Sequence, residues 1–288
     1  MDNIYMMNPP RDITQLTFFD MYTRLMMLAQ AVFKWEGLPN GIDEKHIERF
    51  LFHEGRCMFF RDPMKGWMVA KCTDQGWLNY YDEPTHLTPA AANCDMMLSK
   101  PYEVGMECAV IFNNDYAIPT HRTISLYAAR LADIQRTMDV NINAMKTPVI
   151  IKCNDKQRLS VENMYRQVDD YKVKIVVDKT METDEIKVLN VAAPVVFDKL
   201  AIEKSRMWNE VMTFLGVNNA NMDKRERLVD DEVQANNEQI MLSAQMMLKA
   251  RERAAETMSK LCGQKITVTT RDLRRFAEGE SAGTEVLQ

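Results

Sequence analysis

The chain has 288 residues, is 46% hydrophobic and 27% charged, and carries a formal net charge of -5. That length holds one large domain or two to three small ones and buries a core without staples; no run approaches the roughly eighteen apolar residues of a membrane helix, and residues 1–10 lack the basic and apolar regions of a secretion signal. The charge is uneven, with ten Lys/Arg against sixteen Asp/Glu in residues 1–120 and twenty-six against twenty-five in residues 121–288. No segment is strongly basic, which excludes tight non-specific nucleic-acid binding by a monomer. Six scattered cysteines without a CxxC read as free buried thiols of a reducing compartment. The 23 methionines fit adaptable cores or subunit contacts.

In chain order, Asp12 is positioned to cap a helix carrying Leu16, Phe19, Leu25, Met26, Ala29, Val32 and Phe33 as far as Trp35, with Gly37 and Pro39 ending it. It is apolar on more than one side, which predicts broad burial, partly against another subunit. A short helix follows over 43–52 with an acidic first turn. Residues 55–110 break into short runs separated by turn residues, 57–60, 67–72 and 77–81 among them, and a final run at 107–112 meets the turn-like Asn113-Asn114-Asp115. This is the pattern of a small β-rich module, sheet or barrel-like.

A long amphipathic helix then places Ile124, Tyr127, Leu131, Ile134, Met138, Ile142 and Met145 on one stripe and stops before Pro148. A second long helix begins at 194–199, carries Leu200, Met207, Trp208, Val211, Phe214 and Leu215, and ends at Gly216, a fitting C′ residue. The fifty residues between them predict a small α/β insert, with strands at 149–152, 174–177 and 186–190 and a short helix at 160–167. Residues 217–237 are rich in Asn, Asp, Glu, Lys and Arg and predict a long mobile loop. Ile240, Ala244, Met247, Arg251, Ala254, Met258 and Leu261 follow a 4-3 heptad spacing, which predicts a third long helix ending at Cys262-Gly263, with a strand at 265–270 after it. From Glu278 the sequence reads as a disordered tail.

Enzyme signatures are missing: the ten glycines make no GxxxxGK[ST] loop, and there is no GxSxG, HExxH or Cys/His cluster. Asp169-Asp170 and Asp230-Asp231-Glu232 read as solvated carboxylates, and His46 and His53, seven apart without a third ligand, as ordinary histidines. These residues predict no catalytic group, no metal and no cofactor. Lys224, Arg225 and Arg227 lie among Asp223, Glu226 and Asp230. A balanced solvated loop is one reading; a ring in which cyclic symmetry multiplies each weak charge toward a polymer in its bore is the other.

Several segments carry a family resemblance: FKWEGLP from Phe33, VIFNNDYAIPT from Val110, NAMKTPVII from Asn143 and, most specific, WNEVMTFLGVNNANMDKRER from Trp208, with Asp231-Glu232-Val233 and Asn237-Glu238-Gln239-Ile240 following. Across about 30–270 the chain resembles the portal proteins, also called upper collar or head-tail connector proteins, of small short-tailed bacteriophages (podoviruses) with protein-primed linear DNA. The resemblance implies an α+β portal-type fold with long stem helices, a β-rich, barrel-like wing and a small α/β clip. It also implies a dodecamer in the virion, a ring at one capsid vertex with a DNA channel for viral genome packaging and viral genome ejection. The implied division is a wing at 1–119, stem helices at 120–147 and 194–216, a clip at 148–193, a tunnel loop at 217–237, a crown or wing helix and strand at 238–277, and a tail at 278–288.

The implied partners are other copies of the chain, double-stranded DNA without sequence preference, a packaging ATPase and packaging RNA, major capsid and scaffolding proteins, and lower collar or tail proteins, with no membrane. Lys199, in the family's DKL context, and Lys224, Arg225 and Arg227 are the implied DNA-channel contacts; Asn218, Asn219, Asn221, Asp230 and Asn236 fall in the implied tunnel loop. Arg replaces Lys at one loop position, Asn190 stands where the family has a second lysine ring, and residues 1–10 lack the family's basic arm. A ring-shaped capsid or tail adaptor that never touches DNA is the alternative.

Overall fold

A computed structural model describes residues 12–90, 100–146, 149–152, 187–190, 196–217 and 230–271, apart from the side chains of 144–152, 187–190 and 230–237. Its elements in chain order are α1 (Ile13–Gln30), β1 (Phe33–Glu36), α2 (Glu44–Glu54), β2 (Arg56–Asp62), β3 (Gly66–Ala70), β4 (Cys72–Leu78), β5 (Pro84–Pro89), β6 (Tyr102–Glu103), β7 (Cys108–Phe112), α3 (His121–Lys146), β8 (Val149–Lys152), β9 (Lys187–Asn190), α4 (Phe197–Leu215), α5 (Asp230–Cys262) and β10 (Thr267–Thr270). The chain divides into two units, one of Met1–Phe18 with Arg130–Met207 and the other of Phe19–Ala129 with Trp208–Gln288. The expected strand at 174–177, the expected helix at 160–167 and the tail from 278 lie outside the described residues.

Three expectations change. Helix α1 stops at Gln30, and Phe33–Glu36, expected as its last turn, is a strand with alternating burial, paired antiparallel with β10. Phe33 and Trp35 suit a pleated, half-buried surface, and their partner lies more than two hundred residues away, so no local pattern reveals it. Within this chain only Met21 and Leu25 of α1 are buried, while Ile13, Leu16, Met27 and Leu28 face outward, less burial than its composition implied. The run expected at 77–81 is the end of β4 and then a turn.

The β module is two three-stranded antiparallel sheets, β3-β2-β7 and β4-β5-β6. The chain passes from the first sheet to the second at Lys71, between β3 and β4. Met58 and Phe60 of β2 pack with Ala70, Leu87, Tyr102 and Cys108 into one core, whereas Cys57 and Phe59, pointing to the opposite face, are also fully buried. Both faces of β2 are therefore covered, which explains its continuous apolar run rather than an alternating one. Burial pushes the Cys57 thiol well up, the Cys72 thiol to about 11 and the Cys108 thiol to about 12, so these are packing groups and not nucleophiles.

Helix α2 is capped at both ends: Asp43 accepts from the Lys45 N–H, and Gly55 takes the left-handed conformation at φ +78° with its N–H on the Leu51 carbonyl. A side chain at Gly55 would meet the Ala117 carbonyl oxygen at 2.0 Å, so the turn into β2 requires glycine.

Helix α5 obeys the heptad: Ile240, Ala244, Met247, Arg251, Ala254 and Met258 are all buried. One of these six is a charge. Arg251 donates from Nε and Nη2 to the two carboxylate oxygens of Glu48 on α2 at 2.9 and 2.8 Å, from Nη1 to the carbonyls of Asn113 (2.9 Å) and Met247 (3.1 Å), and from Nη2 to Asn113 Oδ1 at 3.0 Å. All five guanidinium N–H groups are thereby used. Its cation lies 4.0 Å from the Phe33 ring centroid, and the Trp35 indole N–H completes the Glu48 carboxylate at 2.9 Å. The neighbouring void of about 10 Å³ has room for a water and nothing larger.

Both side chains of the Arg251–Glu48 pair are 3% exposed, so removing one partner strands a buried charge. Glu48→Ala is expected to cost about 3–5 kcal/mol, seen as a lower urea midpoint at fixed protein concentration. A midpoint within about 1 kcal/mol of wild type would show that the pair is screened.

Candidate functional site

The segment of interest is the helical pair α3 and α4 with the β8–β9 pairing between them. Helix α3, 26 residues long, measures about 39 Å at 1.5 Å per residue, and α4, with 19 residues, about 28 Å. Its stripe is as the spacing predicts: Ile124, Leu131 and Met138 are buried, and so are the adjoining Ala128 and Ala132. Between the helices β8 and β9 pair antiparallel, Val149 opposite Asn190 through Lys152 opposite Lys187. This short ladder closes the base of the insert.

Two polar contacts join the helices. In one unit the Tyr127 hydroxyl donates to Glu210 at 2.6 Å; in the other the Lys204 ammonium donates to the Gln135 amide oxygen at 2.5 Å. The outward positions of α4 (Asp198, Lys199, Glu203, Arg206 and Glu210) alternate in sign. Arg206 meets Glu203 only at 3.8 Å, with both side chains more than half exposed, a pair of negligible strength. Asp198 suits the positive N-terminal end of α4, whereas Lys199 beside it gains nothing from that dipole. Helix stability therefore does not account for Lys199, which lies exposed in the first turn.

At its other end α4 leaves through Gly216, left-handed at φ +73°, where a Cβ would stand 2.5 Å from the Ala244 Cβ and 2.8 Å from its Cα. The C′ glycine expected from sequence is thus also the point where α4 touches α5. The loop expected over 217–237 ends early, because Asp230–Asn237 is already the start of α5. Asp230, Asp231 and Glu232 complement the dipole of a helix N-terminus, and once a long packed helix exists, added polar residues propagate it at little cost. Asp230 and Asn236 are accordingly helical in backbone, while Asn218, Asn219, Asn221, Lys224, Arg225 and Arg227 lie outside the described residues. Of the expected DNA contacts, Lys199 alone can be placed.

Helix α3 begins against the end of α2. The His53 and His121 rings stand 5.9 Å apart, Phe52 packs edge-on against His53 at 4.9 Å, and His121 Nδ1 is buried without a hydrogen-bond partner. Burial, and secondarily the His121 charge, holds the His53 imidazole below its ordinary value. Among the described residues no group of three or more His, Cys, Asp or Glu is placed to hold a metal. Sequence reasoning placed Tyr127 only on an apolar stripe and His53 only as an ordinary histidine, since the Tyr127–Glu210 and His53–His121 pairings each depend on a tertiary neighbour. Arg251 did leave a signal, a lone charge at a heptad core position.

Helices flanking a small insert, attached to a β module and a long heptad helix, define a portal-type fold. The chain is similar to a chain of the portal and tail of native bacteriophage P68, at 15% identity and TM-score 0.53, covering 94% of this chain and 92% of that one. It is also similar to an HK97-family phage portal protein from Corynebacterium diphtheriae, at 9% identity and TM-score 0.44, covering 94% and 99%. Residues 7–273 match the family described as Phage Connector (GP10), and the chain belongs to that family of structural head-tail connectors.

Gly216→Ala forces both strain at positive φ and a clash with the α5 backbone, and is expected to lower stability by about 1–3 kcal/mol, read from the thermal midpoint; an unchanged midpoint would mean that α4 and α5 can separate there freely. For His53, a folded pKa below the unfolded value means that the unfolded chain binds the proton more readily. The contribution is therefore full above the unfolded value of about 6.5 and is lost as pH falls from there through the lower folded value. Unfolding midpoints at pH 7.5 and 5.5 should differ less for His53→Asn than for wild type, and equal differences would refute the assignment.

Proposed function

We propose that this protein is the subunit of a twelve-membered ring at one vertex of a phage shell, whose bore passes double-stranded DNA inward during packaging and outward during ejection. The observation that carries this reading is the α3–β8–β9–α4 segment, two long helices closed by a small pairing, in a chain that belongs to the connector family across residues 7–273. In that arrangement α3 and α4 form the wall of the bore and the insert faces the packaging ATPase, with its RNA, and later the tail proteins. Capsid and scaffolding proteins surround the ring.

The chemistry of α4 suits transit. Each phosphate firmly neutralised by a cation contributes about 0.9 to the slope of binding against salt, and many such contacts would hold the duplex in place. Isolated cations among carboxylates, as along Asp198, Lys199, Glu203 and Arg206, give a surface on which DNA is guided without being held. Lys199 is the residue of α4 assigned to touch phosphate, assisted by Lys224, Arg225 and Arg227 after the helix ends. Twelve copies turn each of these positions into a ring of charge.

Electron microscopy of the purified protein should show twelve-fold rings with a bore wider than about 20 Å. Absence of rings would overturn the connector reading, and a narrower bore would favour an adaptor that never meets DNA. In a packaging assay, Lys199→Ala and deletion of residues 219–228 should each lower the yield of filled heads at least about tenfold without changing ring formation. Normal genome retention in both would remove DNA contact from these positions.

A further inference from the structure

The β4–β5 hairpin is unlike the rest of the β module. Every residue of β4 after Cys72 is exposed, and its end carries Trp77 at 86%, Tyr80 at 105% and Tyr81 at 84% exposure. An isolated two-stranded arm is marginal in water, yet this turn is tied down. Asn79 Oδ1 accepts from the Tyr81 and Glu83 N–H groups at 2.8 and 3.0 Å, the Asn79 N–H donates to the Glu83 carbonyl at 2.8 Å, and Asp82 N–H donates to the Asn79 carbonyl at 3.1 Å. The Thr85 hydroxyl donates to the Trp77 carbonyl at 2.5 Å. The register slips between Gln75 and Leu78, an irregularity of the kind that bends a strand and re-aims its side chains. Three large aromatics are thus exposed on a turn tied by its own hydrogen bonds, with no described residue packed over them. Rigid presentation lowers the entropy lost on docking, and Trp and Tyr are the residues that anchor protein interfaces.

The charge of the arm selects its partner. Residues 72–90 contain Asp74, Asp82 and Glu83 and no Lys or Arg, and Asp74 is already paired with Arg56 at 2.8 Å. Aromatic rings can also stack nucleic-acid bases, but an arm of only negative charge repels phosphate, so the occupant is a protein. A second copy offers no basic excess to meet it, since residues 1–120 hold ten basic against sixteen acidic side chains and residues 121–288 twenty-six against twenty-five. The arm also lies in the unit that lacks β8 and β9, the module assigned above to the motor and tail.

We propose that the β4–β5 tip, with Trp77, Tyr80 and Tyr81 as anchors and Asp82 and Glu83 as an acidic rim, docks the ring into an apolar, basic-rimmed pocket of the shell protein. This rests on the ring being set in a phage shell. The test co-expresses the chain with the coat and scaffolding proteins of the same phage and counts shells that carry a ring. The variant Trp77→Ser/Tyr80→Ser/Tyr81→Ser, altered only at exposed positions, should form rings like wild type and enter shells at least about tenfold less often. A photo-crosslinking amino acid at position 80 should attach to coat protein. Equal incorporation of the variant overturns the proposal, as does loss of ring formation in the variant or crosslinking between copies of the chain. Wild-type rings that never enter shells overturn the connector reading and this one with it, which separates that failure from a failure of the tip alone.

Discussion

One buried ion pair fixes the larger unit. Arg251 reaches from the middle of α5 to Glu48 on α2, to Asn113 at the end of β7 and over Phe33 on β1. Asn113 carries the connection onward, donating to the Ile118 carbonyl at 2.8 Å and to the Thr120 hydroxyl at 2.9 Å just before α3. Four elements thus meet at one guanidinium, and Asn113 links it to the residues just before a fifth. A well-packed apolar cluster could provide similar stability, but it would accept α5 at several rotations and heights. Five directed N–H bonds accept one. The start of α3, as far as Ala129 in the same unit, is inherited from that choice.

The same physics explains what the sequence could and could not reveal. Periodicity reports burial along one helix, so the stripes of α3, α4 and α5 and the approximate extent of α2 were readable, as were the turn-broken runs of the β module. Pairing between distant segments leaves no periodic trace. Phe33 to Trp35 therefore read as the last turn of α1, although its ladder partner waits at Thr267 to Thr270. Composition also misled at Asp230 to Asn237, where acidic and amide residues suggest a loop but the backbone is helical. Trp77 to Tyr81 reads as one β run, although the strand ends at Leu78 and the aromatics lie exposed.

For the candidate site the division is sharper. Context in a resembled family singled out Lys199 as a candidate DNA contact, and the structure adds that the helix beginning there gains nothing from a cation. The polar ties between α3 and α4, Tyr127 with Glu210 and Lys204 with Gln135, each join residues more than sixty positions apart. They make the two helices a braced pair rather than two loose rods. A pair braced this way keeps its geometry without help from the charges on its outward face.

The pairing of β1 with β10 has a consequence for synthesis. Phe33 leaves the ribosome more than two hundred residues before Thr270, which at 5–20 residues per second is roughly 12–50 s. Throughout that interval β1 is an open edge, and α5, which supplies Arg251, does not yet exist. The β module can collapse early from its own local contacts, but the unit closes only when nearly the whole chain is available. Subunits cut short by incomplete translation therefore lack both the strand that pairs with β1 and the guanidinium that holds α2.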